Sequence, residues 1–302
     1  MGHRDVGILH PGEMGATVAA AAVAAGAEVW WLPRGRSAAT RERAAASGLR
    51  SASGIEELTG TCRVVLSVCP PAAALDVAEQ VASAGFSGVY VDANAVSPER
   101  MTEIAAVFEG ADVTVVDGGI TGPPPRRAGT TRLYLSGDAA AVARVADVFD
   151  GTALTSVALP GPIGRASALK LSFAAYNKIS YALAAQACAL ADGHGVLDDL
   201  LDLADHLLPG TPLAAKDRWA AAGSRAWRWE PEMHEIAGAC RAVGAPAGLA
   251  EAAARTFARW EAHKDDPAVT GAQLIADLIE RDPTRGERTV CRRSEGQRDV
   301  HE

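Results

Sequence analysis

The stretch Val6-Gly7-Ile8-Leu9-His10-Pro11-Gly12-Glu13-Met14-Gly15, followed by an alanine-rich run to Ala25 and a stop at Gly26, decides how the chain is read. A short apolar run suits a strand buried on both faces, and the turn after it opens a helix. Free backbone N–H groups at a helix start, together with the positive end of the helix, suit an anion such as a pyrophosphate. The spacing is that of GxGxxG with His10 in place of the first glycine. Gly12 allows close backbone approach and Gly15 allows tight helix-strand packing. A plain structural turn has the same letters, but the position at the first strand-to-helix turn of an alternating domain favours a dinucleotide site lined by Leu9, His10, Pro11, Gly12, Glu13 and Met14.

Outward from this turn, β-branched runs alternate with alanine-rich helical segments up to residue 160. The predicted strands are Val6 to Leu9, Glu28 to Leu32, Val64 to Val68, Val89 to Asp92, Val113 to Asp117 and Leu133 to Ser136. This is the pattern of a parallel sheet covered on both faces, an α/β doubly wound Rossmann domain over 1–160. After Pro160-Gly161-Pro162 the strand signal ends. Gly164 to Asp192 reads as one long interdomain helix, roughly 43 Å at 1.5 Å per residue. Further helices are expected from Thr211 as N-cap with Pro212 at the first position, from Pro231 to Val243, and from Thr270 to Arg281. The expected second domain, 161–285, is all-α, and 286–302 is read as a flexible charged tail.

With 302 residues, 48% of them hydrophobic, the chain can bury a large core, which rules out a disordered or small disulfide-stapled protein. The 29 basic and 37 acidic side chains give a formal net charge of -8, so a nucleic-acid partner is disfavoured. Cysteines 62, 69, 188, 240 and 291 form no CxxC and no metal-like spacing with the seven histidines. No metal is expected, and a reduced cytoplasmic setting fits best. The apolar stretch from Ala16 to Leu32 contains Gly26 and Glu28 and is too short to span a bilayer, and Met1 to Asp5 does not open a secretory signal; no membrane association is expected.

The end of the second strand distinguishes the two nicotinamide cofactors, because NAD sites place an acidic residue there to hold the ribose hydroxyl. Here it reads Pro33-Arg34-Gly35-Arg36-Ser37, with Thr40 and Arg41 beyond. Guanidinium groups and a hydroxyl suit a 2'-phosphate, so NADP(H) is expected, bound by Arg34, Arg36 and Ser37. An exposed basic loop is the alternative.

These residues resemble the β-hydroxyacid dehydrogenase superfamily, which includes 3-hydroxyisobutyrate dehydrogenases, 6-phosphogluconate dehydrogenase and imine reductases. The resemblance is carried by His10-Pro11-Gly12-Glu13-Met14-Gly15, Pro33-Arg34-Gly35, Ser67-Val68-Cys69-Pro70-Pro71, and Val91-Asp92-Ala93-Asn94-Ala95-Val96-Ser97-Pro98. It continues through Asp117-Gly118-Gly119-Ile120-Thr121-Gly122-Pro123 with Gly129-Thr130, and through Gly164, Ala166 and Lys170. The opening motif and the Asn-Ala-x-Ser-Pro segment look most like the branch with a phosphogluconate-dehydrogenase-like C-terminal domain. The resemblance implies that Val68, Cys69, Pro70 and Asn94 meet the cofactor and that Lys170 is the general acid/base. It also implies that Ala95, Thr121, Gly122 and Pro123 meet the substrate, and that a late helix resembling Glu230 to Arg241 closes the cleft, with Trp229, Glu232, Met233 and His234 as candidates.

Helix geometry extends the site. At about 100° per residue, Ala174, Asn177 and Tyr181 lie within about 40° of Lys170 and Lys178 about 80° away. Asn177 is expected to share the pocket; Tyr181 suits core packing, and Lys178 is either a second pocket cation or a surface charge. The chain departs from the family at Phe173, where an asparagine is usual, and at Pro123, which removes a backbone N–H. Phe173 is counted among the substrate-binding positions. The reading is an NADPH-dependent oxidoreductase of a small carbonyl or hydroxy compound. Imine reduction and a non-catalytic NADP-binding sensor are the alternatives, and the long helix suggests a homodimer.

Overall fold

A computed structural model describes residues 5–279. The chain runs β1 (Asp5–Leu9), α1 (Glu13–Ala24), β2 (Glu28–Trp31), α2 (Ala38–Ala46), β3 (Arg50–Ser51), α3 (Ile55–Thr61), β4 (Val64–Ser67), α4 (Ala74–Ser83), β5 (Gly88–Asp92), α5 (Pro98–Ala106), β6 (Val113–Thr121), β7 (Thr131–Gly137), α6 (Ala139–Val148) and β8 (Leu154–Ala158). The helical part follows as α7 (Arg165–His194), α8 (Leu197–Leu207), α9 (Lys216–Gly223), α10 (Ala226–Ala242), α11 (Gly248–Ala258) and α12 (Gly271–Leu278). The end of the expected helical domain beyond 279 and the expected tail, 286–302, lie outside the described residues.

The strands form one sheet in the order β3-β2-β1-β4-β5-β6-β7-β8. Pairing is parallel from β3 through β6. It departs from the expected all-parallel sheet at β6 and β7, which pair antiparallel. The reason is length: the connection, 122–130, is too short for the crossover of a dozen or more residues that a parallel return needs. β8, reached through α6, is again parallel to β7. Apolar residues cover both faces: Ile8, Val29, Leu66, Val91 and Val116 join one core, and Val65, Tyr90, Met101 and Ile104 the other. Several helix starts are fixed by side chains, with Ser37, Ser97 and Asp138 each accepting from a backbone N–H three residues on.

In the helical part, alanines of α7 and α11 pack around Trp260, Phe257, Met233 and Leu274. Thr270 caps α12 with a reciprocal capping box to Gln273. Two expected boundaries move. Thr211-Pro212 lies in a turn and α9 begins at Lys216. Pro231 lies inside α10, whose first turn, Ala226 to Glu230, precedes it. A proline there costs one internal N–H donor, which burial of Ala226, Met233, Ile236 and Ala237 along the same helix offsets.

Helix α7 is tied to the sheet by Asp117. That buried carboxylate accepts from the backbone N–H groups of Gly164 (2.8 Å), Ala166 (2.9 Å) and Ser167 (3.1 Å), and from the hydroxyls of Ser167 (2.6 Å) and Ser136 (2.9 Å). An acidic side chain from a strand thus satisfies donors that the first turn leaves open and complements the helix dipole. Gly119 makes the approach possible, because a Cβ there would lie 2.8 Å from the Ala166 carbonyl oxygen and 3.2 Å from the Lys170 side chain.

Candidate nicotinamide and substrate cleft

A cleft of about 780 Å³ opens between the sheet's carboxyl ends and α10. Its sheet side carries Gly12, Glu13, Met14, Val68, Cys69, Pro70, Asn94 and Ala95; α7 contributes Lys170 and Lys178, and the helical part contributes Trp229 and Glu232. Nine of the residues singled out from sequence, from Gly12 through Lys170, therefore meet around one space. Ligand sites in open α/β sheets sit in this place, beyond the strand ends where connections diverge.

The turn after β1 is built for close approach. His10 takes φ 65°, a left-handed conformation that the usual glycine adopts at less cost. Its carbonyl oxygen accepts from the Gly12 N–H at 2.7 Å, and a Cβ on Gly15 would lie 2.6 Å from that same oxygen. Around Gly12 the space is open, with nothing within 4 Å of where a Cβ would stand, and no side chain caps α1. Donors of the first helical turn thus face a cradle that fits a diphosphate.

Burial, and next the Arg36 charge, lower the His10 pKa to about 4. Its Nδ1 is buried without a partner, as is Nε of Arg36. Arg36 is half-buried and Arg34 exposed, while Ser37 spends its hydroxyl capping α2. Sequence reasoning missed Arg43, which lines the cleft and donates to Thr40 Oγ1 at 3.1 Å. The signal was the i, i+3 pair Thr40 and Arg43 on α2, which follows Arg36 just before the helix.

A polar cluster sets the far wall. Asn94 Nδ2 donates to Ser67 Oγ (3.0 Å) and Asp92 Oδ2 (2.8 Å), and Asn94 Oδ1 accepts from the Cys69 N–H (2.5 Å). Burial raises the Asp92 pKa to about 7 against the opposing Asn94 hydrogen bonds, with the nearby Asp117 charge adding to the rise. Burial likewise raises the Cys69 thiol to about 11, which keeps it a neutral packing group.

Lys178 is paired with the buried Glu232, and its Nζ stands 5.6 Å from the Trp229 ring centroid. Burial lowers its pKa, Glu232 opposes the fall and the Lys170 charge adds to it. The open alternative for Lys178 thus resolves in favour of the cleft.

Several expected positions lie elsewhere. Asn177 is exposed, because the buried direction of α7 runs through Ala174, Lys178 and Ala185, and Asn177 falls at its edge. Phe173 is half exposed on the outer face of α7, and Met233 is fully buried in the helical core. His234 points outward and pairs with Glu230 at 2.8 Å. The expected substrate loop is largely strand: Asp117 to Thr121 belong to β6, with Ile120 rather than Thr121 lining the cleft. Gly122, at φ 118°, packs on the Thr130 carbonyl, and the Pro123 carbonyl accepts from Thr131 Oγ1. Leu9 and Pro11 are buried beneath the turn.

Two family models match. Residues 5–160 match the NAD binding domain of 6-phosphogluconate dehydrogenase, and residues 191–260 match a domain of unknown function, DUF1932. An uncharacterized 28.5 kDa protein in the 7S RNA 5' region of Methanothermus fervidus is 28% identical over 176 residues, 58% of this chain and 66% of that protein, just under two thirds of its length. Among solved structures, the conserved protein MTH1747 of unknown function, described as similar to 3-hydroxyacid dehydrogenases, is 27% identical over 86% of this chain and 97% of its own, with TM-score 0.64. A Mycobacterium tuberculosis 3-hydroxyisobutyrate dehydrogenase solved with L-serine shares the fold at TM-score 0.72 and 20% identity, over 92% of this chain and 100% of its own.

Proposed function

Because the chain belongs to the family of the 6-phosphogluconate dehydrogenase NAD binding domain, and with it to the NAD(P)-dependent oxidoreductases, we propose that it reduces a small carbonyl compound, or oxidises the corresponding alcohol, with NADP(H) and with Lys170 as proton donor and acceptor. The observation that carries this reading is that Lys170 and the Gly12 to Gly15 turn line one cleft. The nicotinamide supplies or accepts the hydride. The α1 turn would hold the diphosphate, Arg36 and Arg43 would favour a 2'-phosphate, and Val68, Cys69, Pro70 and Asn94 would form the wall behind the reactive ring. Lys170 would give its proton to the carbonyl oxygen as hydride arrives and take it back in the reverse direction.

Lys178 neutralised by Glu232 makes the back of the cleft less cationic than two free lysines would. This feature supports a carbonyl substrate without a strong anionic group. C=N reduction remains the alternative within the same hydride chemistry. The test is NADPH consumption with aldehydes, ketones, 3-keto acids and cyclic imines, repeated with Lys170→Ala. Nucleotide binding without turnover across the panel supports the sensor instead.

The same proposal includes a cytoplasmic homodimer. Leu183, Leu190, Leu203 and Leu207 are more than half exposed along α7 and α8, and Leu190 and Leu203 line an apolar groove of about 550 Å³. Contiguous exposed apolar surface of this kind suits a second copy of the chain. Light scattering of wild type and Leu190→Glu tests it, with a monomer expected for the variant. Among the described residues no helix is long and apolar enough to cross a membrane.

A further inference from the structure

Glu13 opens α1 at the centre of the diphosphate cradle, yet its carboxylate does not turn back to cap the helix. It reaches across the cleft to Arg228 of α10, with Oε2 3.3 Å from Nη1. Arg228 is otherwise held within the helical part. Its Nη2 lies 3.4 Å from Asp265 Oδ1, which also accepts from the Trp227 indole N–H at 3.2 Å. The Arg228 guanidinium stands 5.0 Å from the Trp227 ring centroid and Lys264 Nζ 4.1 Å from it. The Asp265 backbone N–H, at a residue with φ 56°, donates to the Ser224 carbonyl at 3.0 Å. A stacked indole, a carboxylate and a fixed turn therefore aim one guanidinium at the start of α1.

We infer that Arg228 is a phosphate-binding residue supplied by the helical part, which exchanges Glu13 for the cofactor's diphosphate. Three facts carry this. The bonds to Glu13 and Asp265 are long for charge-assisted contacts, which lie at about 2.7–2.9 Å, so exchanging one costs little. The guanidinium has five donors, and the two carboxylates leave others for a bidentate oxyanion. A diphosphate at the first turn of α1 meets the Glu13 carboxylate as a like charge and offers Arg228 a stronger partner. The exchange transfers a contact across the cleft from protein to ligand, so cofactor binding and cleft closure become linked. Because both nicotinamide nucleotides carry the diphosphate, Arg228 acts on both alike, unlike a residue that reads the 2'-phosphate.

The inference rests on the dinucleotide reading above. Calorimetric titration of the full chain with NADPH and with NADH tests it. Arg228→Gln is expected to raise both dissociation constants by a common factor of about ten or more, and Glu13→Gln to lower both. In the double variant, the gain from Glu13→Gln should shrink to less than half on a logarithmic scale. Arg228→Lys, which keeps charge but not the fork, should fall between wild type and Arg228→Gln; should Arg228→Gln fail to fold, this variant and Glu13→Gln decide. Affinities of Arg228→Gln within twofold of wild type, Glu13→Gln that fails to tighten binding, or an undiminished Glu13→Gln gain without Arg228 overturns the inference. A wild-type chain that binds neither nucleotide overturns the dinucleotide reading itself, before any variant is compared.

Discussion

Asp117 and Ser167, fifty residues apart in sequence, are joined twice: the carboxylate accepts from the Ser167 hydroxyl at 2.6 Å and from its backbone N–H at 3.1 Å. Ser167 lies three residues before Lys170, so this pair sets where the lysine stands relative to β6. Asp117→Ala leaves two buried hydroxyls and the Gly164 and Ser167 N–H groups without their acceptor, while the Ala166 N–H keeps Ser136 Oγ at 3.0 Å. Loss of about 3–5 kcal/mol of stability is expected, measured by urea unfolding, since a buried charged partner is removed and its donors stay behind. Asp117→Asn, with one acceptor oxygen retained, should lose less. A change below about 1 kcal/mol in Asp117→Ala would show that water replaces the carboxylate and that α7 is held by packing alone.

The two lysines of the cleft separate by what each removal leaves. Lys170→Met is expected to lower kcat by about two to four orders of magnitude while the NADPH dissociation constant stays near wild type, as loss of a general acid does. Glu232→Gln instead strands Lys178 in a buried place. It should destabilise the fold by about 3 kcal/mol and push the Lys178 pKa further down, because burial then acts without its counter-charge. Activity retained in Lys170→Met and lost in Lys178→Met would transfer the proton-donor role from one residue to the other.

What the sequence disclosed here is what is local. The strand, turn and helix around Gly12 are neighbours in the chain, so spacing alone reveals them, and the Thr270 cap of α12 is legible in the same way. The glycines after Asp117 carry no local mark of their role, because Gly-Gly suits both an anion-binding loop and a close helix approach. Only the position of α7 tells that Gly119 serves the second. Both edge strands escaped notice: β3 is two residues long, and β8 mixes Thr155 and Ser156 among its apolar residues, since an edge buries little. Asn177 and Lys178 differ by one helix step, and the direction of burial is set by α10 and α11, which no local pattern encodes. Arg228 and Asp265 meet across a tertiary contact between distant segments, so neither is marked by a motif of its own.

Cofactor choice should rest on Arg36 and Arg43 more than on Arg34, which is exposed. Arg36→Ala and Arg43→Ala are each expected to raise the NADPH dissociation constant by about ten- to a hundredfold, the worth of a charge-assisted hydrogen bond, and the NADH constant by less than threefold. Arg34→Ala should change either constant by less than about threefold. Equal losses for both nucleotides in Arg36→Ala would remove the 2'-phosphate assignment.

His10 gives the turn a pH dependence whose sign follows from its surroundings. Burial and the Arg36 charge hold the ring at a pKa of about 4, below the ordinary 6.5. Between those values the unfolded chain binds a proton that the folded chain refuses. The stabilisation is therefore complete above about pH 6.5 and is lost as pH falls toward 4. The full shift corresponds to about 3 kcal/mol, and partial exposure of the ring to solvent reduces this to about 1–2 kcal/mol. Asn also tolerates the left-handed conformation of position 10, so His10→Asn isolates the titration from backbone strain. Between about pH 7 and about pH 4.5, wild type should lose about 1–2 kcal/mol more than His10→Asn in urea unfolding. Parallel pH profiles for the two proteins would mean that the imidazole titrates in the folded chain as it does in water, and that Arg36 lies too far away to repel its proton.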